Sequence, residues 1–247
     1  MIREQAPDVV TFQECGNELW DAMQEIKDWH TARDGSLCTG SRWPISETNL
    51  MPREDLARIS ARGFGGTGLV MRTYIATPHG PLVLVNLHLE TARKGLEGLL
   101  GREGFIPDGN SAMTVAPDPE SSSTVSSLER FSLNAEIRTA ESARASRWVS
   151  RNIDKSPVVV AGDFNLPVES SIFREYWSQF TDAFEATGNG LGWSKREGRW
   201  LRIRIDHVLT SDGGPKPIGI MIGPDYASDH LPVIVDLRWP TRKGETP

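Results

Sequence analysis

The feature that most constrains this chain is a set of short β-branched apolar runs, each of which stops in polar residues able to do chemistry. DVVTFQE ends at Glu14, LVLVNLHLE ends in Asn86, His88 and Glu90, PVVVAGDFN ends in Asp163 and Asn165, and SDHLPVIVDL begins with Asp229 and His230. Apolar runs of roughly 4 to 8 residues bounded by turn signals read as strands. The two-residue period of a strand puts Asn86, His88 and Glu90 on one face and Val85, Leu87 and Leu89 on the other. If the last run lies antiparallel to the others, all four bring their polar groups to one rim, and that is the geometry of one site. The pattern predicts strands at Asp8–Gln13, Leu69–Ala76, Leu82–Leu89, Val158–Ala161, Leu201–Leu209, Ile218–Ile222 and Val233–Leu237. Within Leu201–Leu209, Arg202, Arg204 and Asp206 share a face with the preceding Trp200, and Leu201, Ile203 and Ile205 share the other. Helical spacing appears over Gly16–Trp29, with Leu19, Met23 and Ile26 on one side. It appears again over Leu133–Asn152, where Leu133, Ile137, Ala140 and Trp148 oppose Arg144, Arg147 and Arg151.

Composition excludes several classes. With 27 Lys+Arg against 33 Asp+Glu the formal charge is −6. That argues against a protein held on nucleic acid by bulk charge, though not against a local basic groove. No apolar run approaches the ~18 to 20 residues that span a bilayer. Two cysteines, Cys15 and Cys38, rule out a disulfide-stapled scaffold and a Cys-rich zinc site, and leave a single bridge open. The start, MIREQAPDVV, has no signal-peptide core, and nothing in the sequence fixes a compartment. At 247 residues the chain reads as one domain over 1–240, with a tail at 241–247 expected to be disordered. Thr39–Gly66 is polar and Arg-rich, with a short helical piece near Arg53–Ala61. Residues 101–127 read as a mobile loop, either near the site or a plain surface excursion.

Each polar residue alone has a bland reading. Glu14 suits a helix start, Gly162–Asn165 suits a turn, Asp229 with His230 suits a surface pair, and His88 a structural role. Their joint occurrence at strand ends favours one site instead. The ordered set FQE (Phe12–Glu14), NLHLE (Asn86–Glu90), GDFN (Gly162–Asn165), RID (Arg204–Asp206) and SDH (Ser228–His230) resembles the endonuclease/exonuclease/phosphatase superfamily. That superfamily includes pancreatic-type deoxyribonucleases, abasic-site endonucleases, tyrosyl-DNA phosphodiesterases, sphingomyelinases and inositol polyphosphate phosphatases. The resemblance implies a four-layered α/β sandwich, two packed mixed β sheets flanked by helices, with a divalent metal, Mg²⁺ or Mn²⁺, at one rim. It implies that Glu14 binds the metal and that Asp229 supports it or a second ion. By the same likeness Asp163 activates water and Asn165 hydrogen-bonds the nucleophile or the phosphorane-like oxygens. His88 and His230 then meet the phosphate, and Asp206 sets the tautomer and charge of His230. Members of the superfamily usually begin with a strand carrying an Asn that joins the glutamate at the metal. Only IREQAP precedes DVVTFQ here, so the usual first strand is expected to be lacking, an upstream signal or anchor could have been lost with it, and sheet edges are expected to be exposed.

Weaker signals remain. Gly63, Gly65 and Gly68 fit G-x-G-x-x-G, but in the reverse of the strand-then-helix order a dinucleotide turn needs. Trp43, Arg42, Arg53, Arg58 and Arg62 suit either a phosphate groove or solvated loops. Arg93 and Lys94 follow the HLE motif and are better placed to meet substrate phosphate. The leading expectation is a metal-dependent phosphodiesterase, monomeric, with nucleic acid as its substrate. The alternatives are the same chemistry on a phospholipid, phosphoinositide or small phosphate ester, and a non-catalytic phosphate-binding module.

Overall fold

A computed structural model describes residues 2–53, 66–96, 127–151, 156–197 and 201–240. In chain order the elements are α1 (Ile2–Gln5), β1 (Val9–Phe12), α2 (Asn17–Gln24), β2 (His30–Asp34), β3 (Leu37–Ser41), β4 (Ile45–Leu50), β5 (Leu69–Thr77) and β6 (Gly80–His88). They continue with α3 (Arg93–Leu96), α4 (Ser127–Ser150), β7 (Val158–Asp163), α5 (Ser171–Trp177), β8 (Thr181–Asp182) and α6 (Ala183–Thr187). The last are β9 (Lys195–Glu197), β10 (Leu201–Ile203), β11 (Asp206–Thr210), β12 (Lys216–Ile222) and β13 (Val233–Arg238).

The central layer is a six-stranded mixed sheet in the order β4-β5-β6-β7-β11-β8, parallel between β6 and β7 and antiparallel elsewhere. Strand alternation sorts its side chains into two cores. Val83, Val85 and Leu87 of β6 and Val158 and Val160 of β7 pack with Ala145 and Val149 of α4 and with Phe173 and Trp177 of α5. The intervening Leu82, Leu84 and Val159 face the other way, onto Val9, Leu237 and Trp239 of the second β layer. α2 covers that layer from outside, packing Met23, Leu19 and Trp20 on Cys15, Cys38 and Phe12. Helix, sheet, sheet and helix make four layers, as the sequence implied.

The second β layer comes in two antiparallel pieces, β1-β3-β2 and β12-β13, with β9-β10 as a separate two-stranded ribbon. Among the described residues β1 pairs only with β3 and β13 only with β12, so each keeps one unpaired edge. The strands β2, β3 and β4 are not among those the sequence pattern predicts, and β4 lies in the non-periodic stretch Thr39–Gly66. HTARD, LCTGS and ISETNL have little apolar alternation, and cross-strand pairing, of β3 with both β1 and β2 and of β4 with β5, holds them extended. The expected strand Leu201–Leu209 is two, β10 and β11 in different sheets, because the chain changes layers between Ile203 and Asp206. The helix expected over Gly16–Trp29 is shorter, ending at Gln24, and the one expected over Leu133–Asn152 begins earlier, at Ser127. No described helix is long and apolar enough to cross a membrane. The loop expected at 101–127 (all but Ser127), the tail at 241–247, the piece near Arg53–Ala61 beyond Arg53, and Arg58, Arg62, Gly63, Gly65 and Trp200 lie outside the described residues.

Candidate active site

Three strand ends set a row of side chains across the central sheet. His88 closes β6, Asp163 closes β7 and Asp206 opens β11, and the register pairs His88 with Asp163 and Asp163 with Asp206. Residues directly opposite on neighbouring strands share a face. Asp163 has the parity of Val159, so the row faces the second β layer at its rim.

The GDFN stretch permits this. Gly162, opposite Leu87, has φ +146°, and a Cβ there would lie 2.0 Å from the Leu87 carbonyl oxygen, so no side chain fits. Asn165 adopts φ +51°, the left-handed region that asparagine tolerates. Its backbone N–H donates to Asp163 Oδ1 (2.8 Å), and its Nδ2 donates to Asp163 Oδ2 (3.1 Å) and to the Leu89 carbonyl (2.8 Å). Arg138 of α4 donates to the Asn165 carbonyl at 2.7 Å. In this arrangement the Asn165 amide fixes the Asp163 carboxylate.

The second layer brings His230. Residues 229–231 lie along β9: Lys195 and His230 form an antiparallel bridge, Arg196 N–H donates to the Asp229 carbonyl (3.0 Å), and Leu231 N–H to that of Ser194 (2.6 Å). Ser194 Oγ in turn accepts from the backbone N–H groups of Ile205 and Asp206, at 3.3 and 3.1 Å. His230 Nδ1 then lies 2.8 Å from Asp206 Oδ2 and its Nε2 3.8 Å from Asp163 Oδ2, while His88 Nε2 lies 3.7 Å from the same oxygen.

The charges differ from those of isolated groups. Burial, with the nearby Asp206 carboxylate adding to it, pushes Asp163 up to about 7 against the opposing pull of His230. Burial works against a charged His230, but the hydrogen bond and charge of Asp206, helped by Asp163, outweigh it and raise the His230 pKa. His88 is lowered, chiefly by burial and despite the charge of Glu14. A carboxyl raised to about 7 therefore sits between an imidazole biased to the cation and one biased to the neutral form.

The other expected site residues fall around this group. Glu14 follows β1, exposed and with φ +53°, and its charge acts on His88. Asp229 is exposed and its carboxylate is held by the Lys195 ammonium. Arg93 is exposed in α3, its N–H donating to Thr91 Oγ1; of Lys94 only the backbone is described. Asn86, expected on the polar face with His88, is fully buried and serves the fold. It accepts from Gln13 Nε2 (2.7 Å) and donates to the carbonyls of Phe12 (3.1 Å) and Cys38 (2.9 Å), tying β6 to the layer that carries Glu14. Glu90 leaves the strand face altogether. It lies past the end of β6, buried, accepting from the N–H and Oγ1 of Thr67 at 2.8 Å. Arg204 does not share a face with Asp206, because the layer change turns it to Asp182 (3.2 Å), which also holds the buried His207.

Sequence reasoning missed Lys195, Ser194 and Arg138. The first two sit in a polar stretch without periodicity, and nothing local separates Arg138 from the solvated arginines of its helix. The bridge left open does form, joining Cys15 to Cys38.

Among the described residues, Asp163, Asp206 and His230 offer ligand atoms all within 4.8 Å of one another. The rim also carries the carboxylate of Glu14, while that of Asp229 is held by the Lys195 ammonium. Such an oxygen-rich set suits a hard divalent cation. Crowding of Asp163 by Asp206 is the strain that a cation relieves, so the residues fit one.

A fold of two sheets between helices with this rim is that of a phosphoesterase class, and sequence comparison agrees. The profile of the Endonuclease/Exonuclease/phosphatase family matches residues 1–230. The chain belongs to that family, and it is a phosphoesterase hydrolase. No curated protein matches it significantly. Among solved structures it is similar to TDP2 of D. rerio complexed with a single-strand DNA product (12% identity, 95% of this chain and 87% of that one, TM-score 0.62). It is also similar to the human Nocturnin catalytic domain with bound sulfate (13%, 97% and 83%, TM-score 0.60). A third is an endonuclease/exonuclease/phosphatase from Bacteroides vulgatus (14%, 97% and 87%, TM-score 0.62).

Proposed function

We propose that the protein is a divalent-metal-dependent phosphodiesterase that cleaves nucleic acid. The observation that carries this reading is the line His88, Asp163 and Asp206, closed by His230 with its Nδ1 on Asp206. A phosphodiester repels an attacking oxygen with its own charge, and more charge develops on the leaving oxygen. Cations aimed at the phosphate offset both, and a base must stand where it can take the proton of the attacking water. Asp163 is the base: its pKa near 7 matches the working pH of a general base, and Asn165 fixes its orientation. His230, kept charged by Asp206, faces the phosphoryl oxygens, and His88 approaches from the other side of Asp163. Glu14, whose charge reaches His88, would hold Mg²⁺ or Mn²⁺ at this rim, with water filling most of the remaining positions. When bound, such an ion polarises a phosphoryl oxygen and lowers the pKa of a coordinated water.

The similarity to a TDP2 complexed with single-strand DNA supports nucleic acid as the substrate, and the exposed Arg93 offers a contact for a phosphate backbone. The test is conversion of supercoiled plasmid to nicked circles in Mg²⁺ or Mn²⁺, with a chelator control and Asp163→Ala and His230→Ala alongside. Nicking that needs the metal and disappears in both variants, with their thermal melts retained, is expected. Nicking that survives in both variants overturns the site. Hydrolysis confined to small phosphodiesters or phospholipids overturns the substrate.

A further inference from the structure

Among the described residues, Lys195 is the buried cation in direct contact with the rim that the reading above leaves without a task. Only 9% of its surface is exposed. A lysine gives up about 1.5 to 2 kcal/mol of side-chain freedom when buried and loses hydration besides, so its place needs a compensating partner. That partner is Asp229, whose Oδ2 the ammonium contacts. The bridge between Lys195 and His230 puts the two side chains on the same face of their strands. The ammonium therefore sits beside the imidazole that closes the site, near enough for its charge to favour the Asp163 carboxylate and to oppose the charged form of His230. Asp229 is an exposed carboxylate of the rim, 64% exposed at its side chain, and so open to a second ion from solvent.

We infer that Lys195 is a built-in substitute for a second divalent cation. Its ammonium occupies Asp229 and leaves the rim a single metal locus, while adding fixed positive charge beside His230. The inference rests on the proposed metal-dependent phosphodiesterase but does not need its substrate to be nucleic acid. Two-metal sites place their ions about 3.5 to 4 Å apart and share carboxylates between them. A carboxylate committed to an ammonium is lost to such sharing, and the ammonium supplies part of the same charge.

The test is Mn²⁺ binding by titration calorimetry on the whole chain, without substrate, comparing wild type, Lys195→Met and Lys195→Arg. Wild type and Lys195→Arg are expected to bind one ion per chain. Lys195→Met, which frees Asp229, is expected to bind a second, more weakly. Two ions on wild type, or a single ion on a folded Lys195→Met with unchanged affinity, overturns the inference. Thermal melts establish that Lys195→Met is folded; if it is not, Lys195→Gln and the double change Lys195→Met with Asp229→Asn carry the same comparison, and the double change returns to one ion. On any substrate the wild type hydrolyses, the Mn²⁺ dependence is expected to be hyperbolic, and a Hill coefficient near two overturns the inference. Failure to nick DNA leaves the ion count standing, so the two readings fail separately.

Discussion

Glu141 offers a stability prediction whose sign and size both follow from its surroundings. It lies on the inner face of α4, 1% exposed, among Ile137 and Ala145. Its Oε2 accepts from the backbone N–H of Glu90 at 2.6 Å, just past the strand end that carries His88. Burial, with the Glu90 charge adding to it, pushes its carboxyl from 4.5 up to about 7, the Glu90 N–H, the Arg53 guanidinium 4.0 Å away and the Gly68 N–H opposing only part of that. Between those values the folded chain keeps a proton that the unfolded chain has released. The stability this group contributes is complete below pH 4.5 and is lost as pH rises through about 7. At about 1.4 kcal/mol per unit of pKa, the loss by pH 8 is on the order of 3 kcal/mol. Glu141→Gln keeps an oxygen acceptor for Glu90 and never ionises. It should match wild type near pH 5 and exceed it by up to about 3 kcal/mol at pH 8, or roughly 6 to 12 °C in Tm for a chain of this size. The assay is thermal unfolding of both proteins from pH 5 to 8.5. Asp163 is raised in the same direction, but it is present in both proteins and cancels from the difference. A gap that does not change with pH, or equal Tm values at pH 8, refutes the reasoning.

Asn86→Ala leaves the carbonyls of Phe12 and Cys38 and the Gln13 amide without their buried partner; a loss of about 2 to 4 kcal/mol is expected, read in urea unfolding. Cys15→Ser or reduction opens a loop of 23 residues, with an expected cost of about 3 kcal/mol and a drop in midpoint when reductant is added to wild type but not to the variant. Glu14→Gln should raise the Mg²⁺ or Mn²⁺ concentration giving half-maximal hydrolysis by about tenfold or more while leaving the melting temperature in place; an unchanged metal titration counts against Glu14 as a ligand.

The central sheet was legible because its strands are Val- and Leu-rich runs buried on both faces, as at Leu82–Leu87 and Val158–Val160. The site was legible for a related reason: a strand buried along its whole length carries polar side chains only where it leaves the core, so LVLVNLHLE and PVVVAGDFN mark their own exits. Asn86 is the exception that misled. It is polar inside the run, but its partners are the backbone of β1 and β3, which no local pattern reveals. Lys195 was hidden because β9 is the wholly charged run Lys195–Glu197, and only the bridge to His230, 35 positions away, gives it meaning. Arg204 was misplaced because two-residue alternation was extended through a point where the chain changes layers.

The same contrast explains how the site is held. The row His88, Asp163 and Asp206 depends on the register of three adjacent strands, which a one-residue slip of β7 would destroy by turning Asp163 to the opposite face. Gly162 is fixed at this register, because a Cβ on its φ +146° backbone would meet the Leu87 carbonyl oxygen at 2.0 Å. Glu14 and His230 have no such ladder, since each stands just outside a strand of the second layer whose outer edge is unpaired among the described residues. Their placement comes from separate ties, Asn86 and the Cys15–Cys38 bridge on one side and the Lys195, Ser194 and Asp206 contacts on the other. Disturbing those ties should loosen metal and phosphate contacts before it unfolds the central sheet. Substitutions at Cys15 or Ser194 are therefore expected to weaken metal affinity and turnover by more than their effect on stability accounts for.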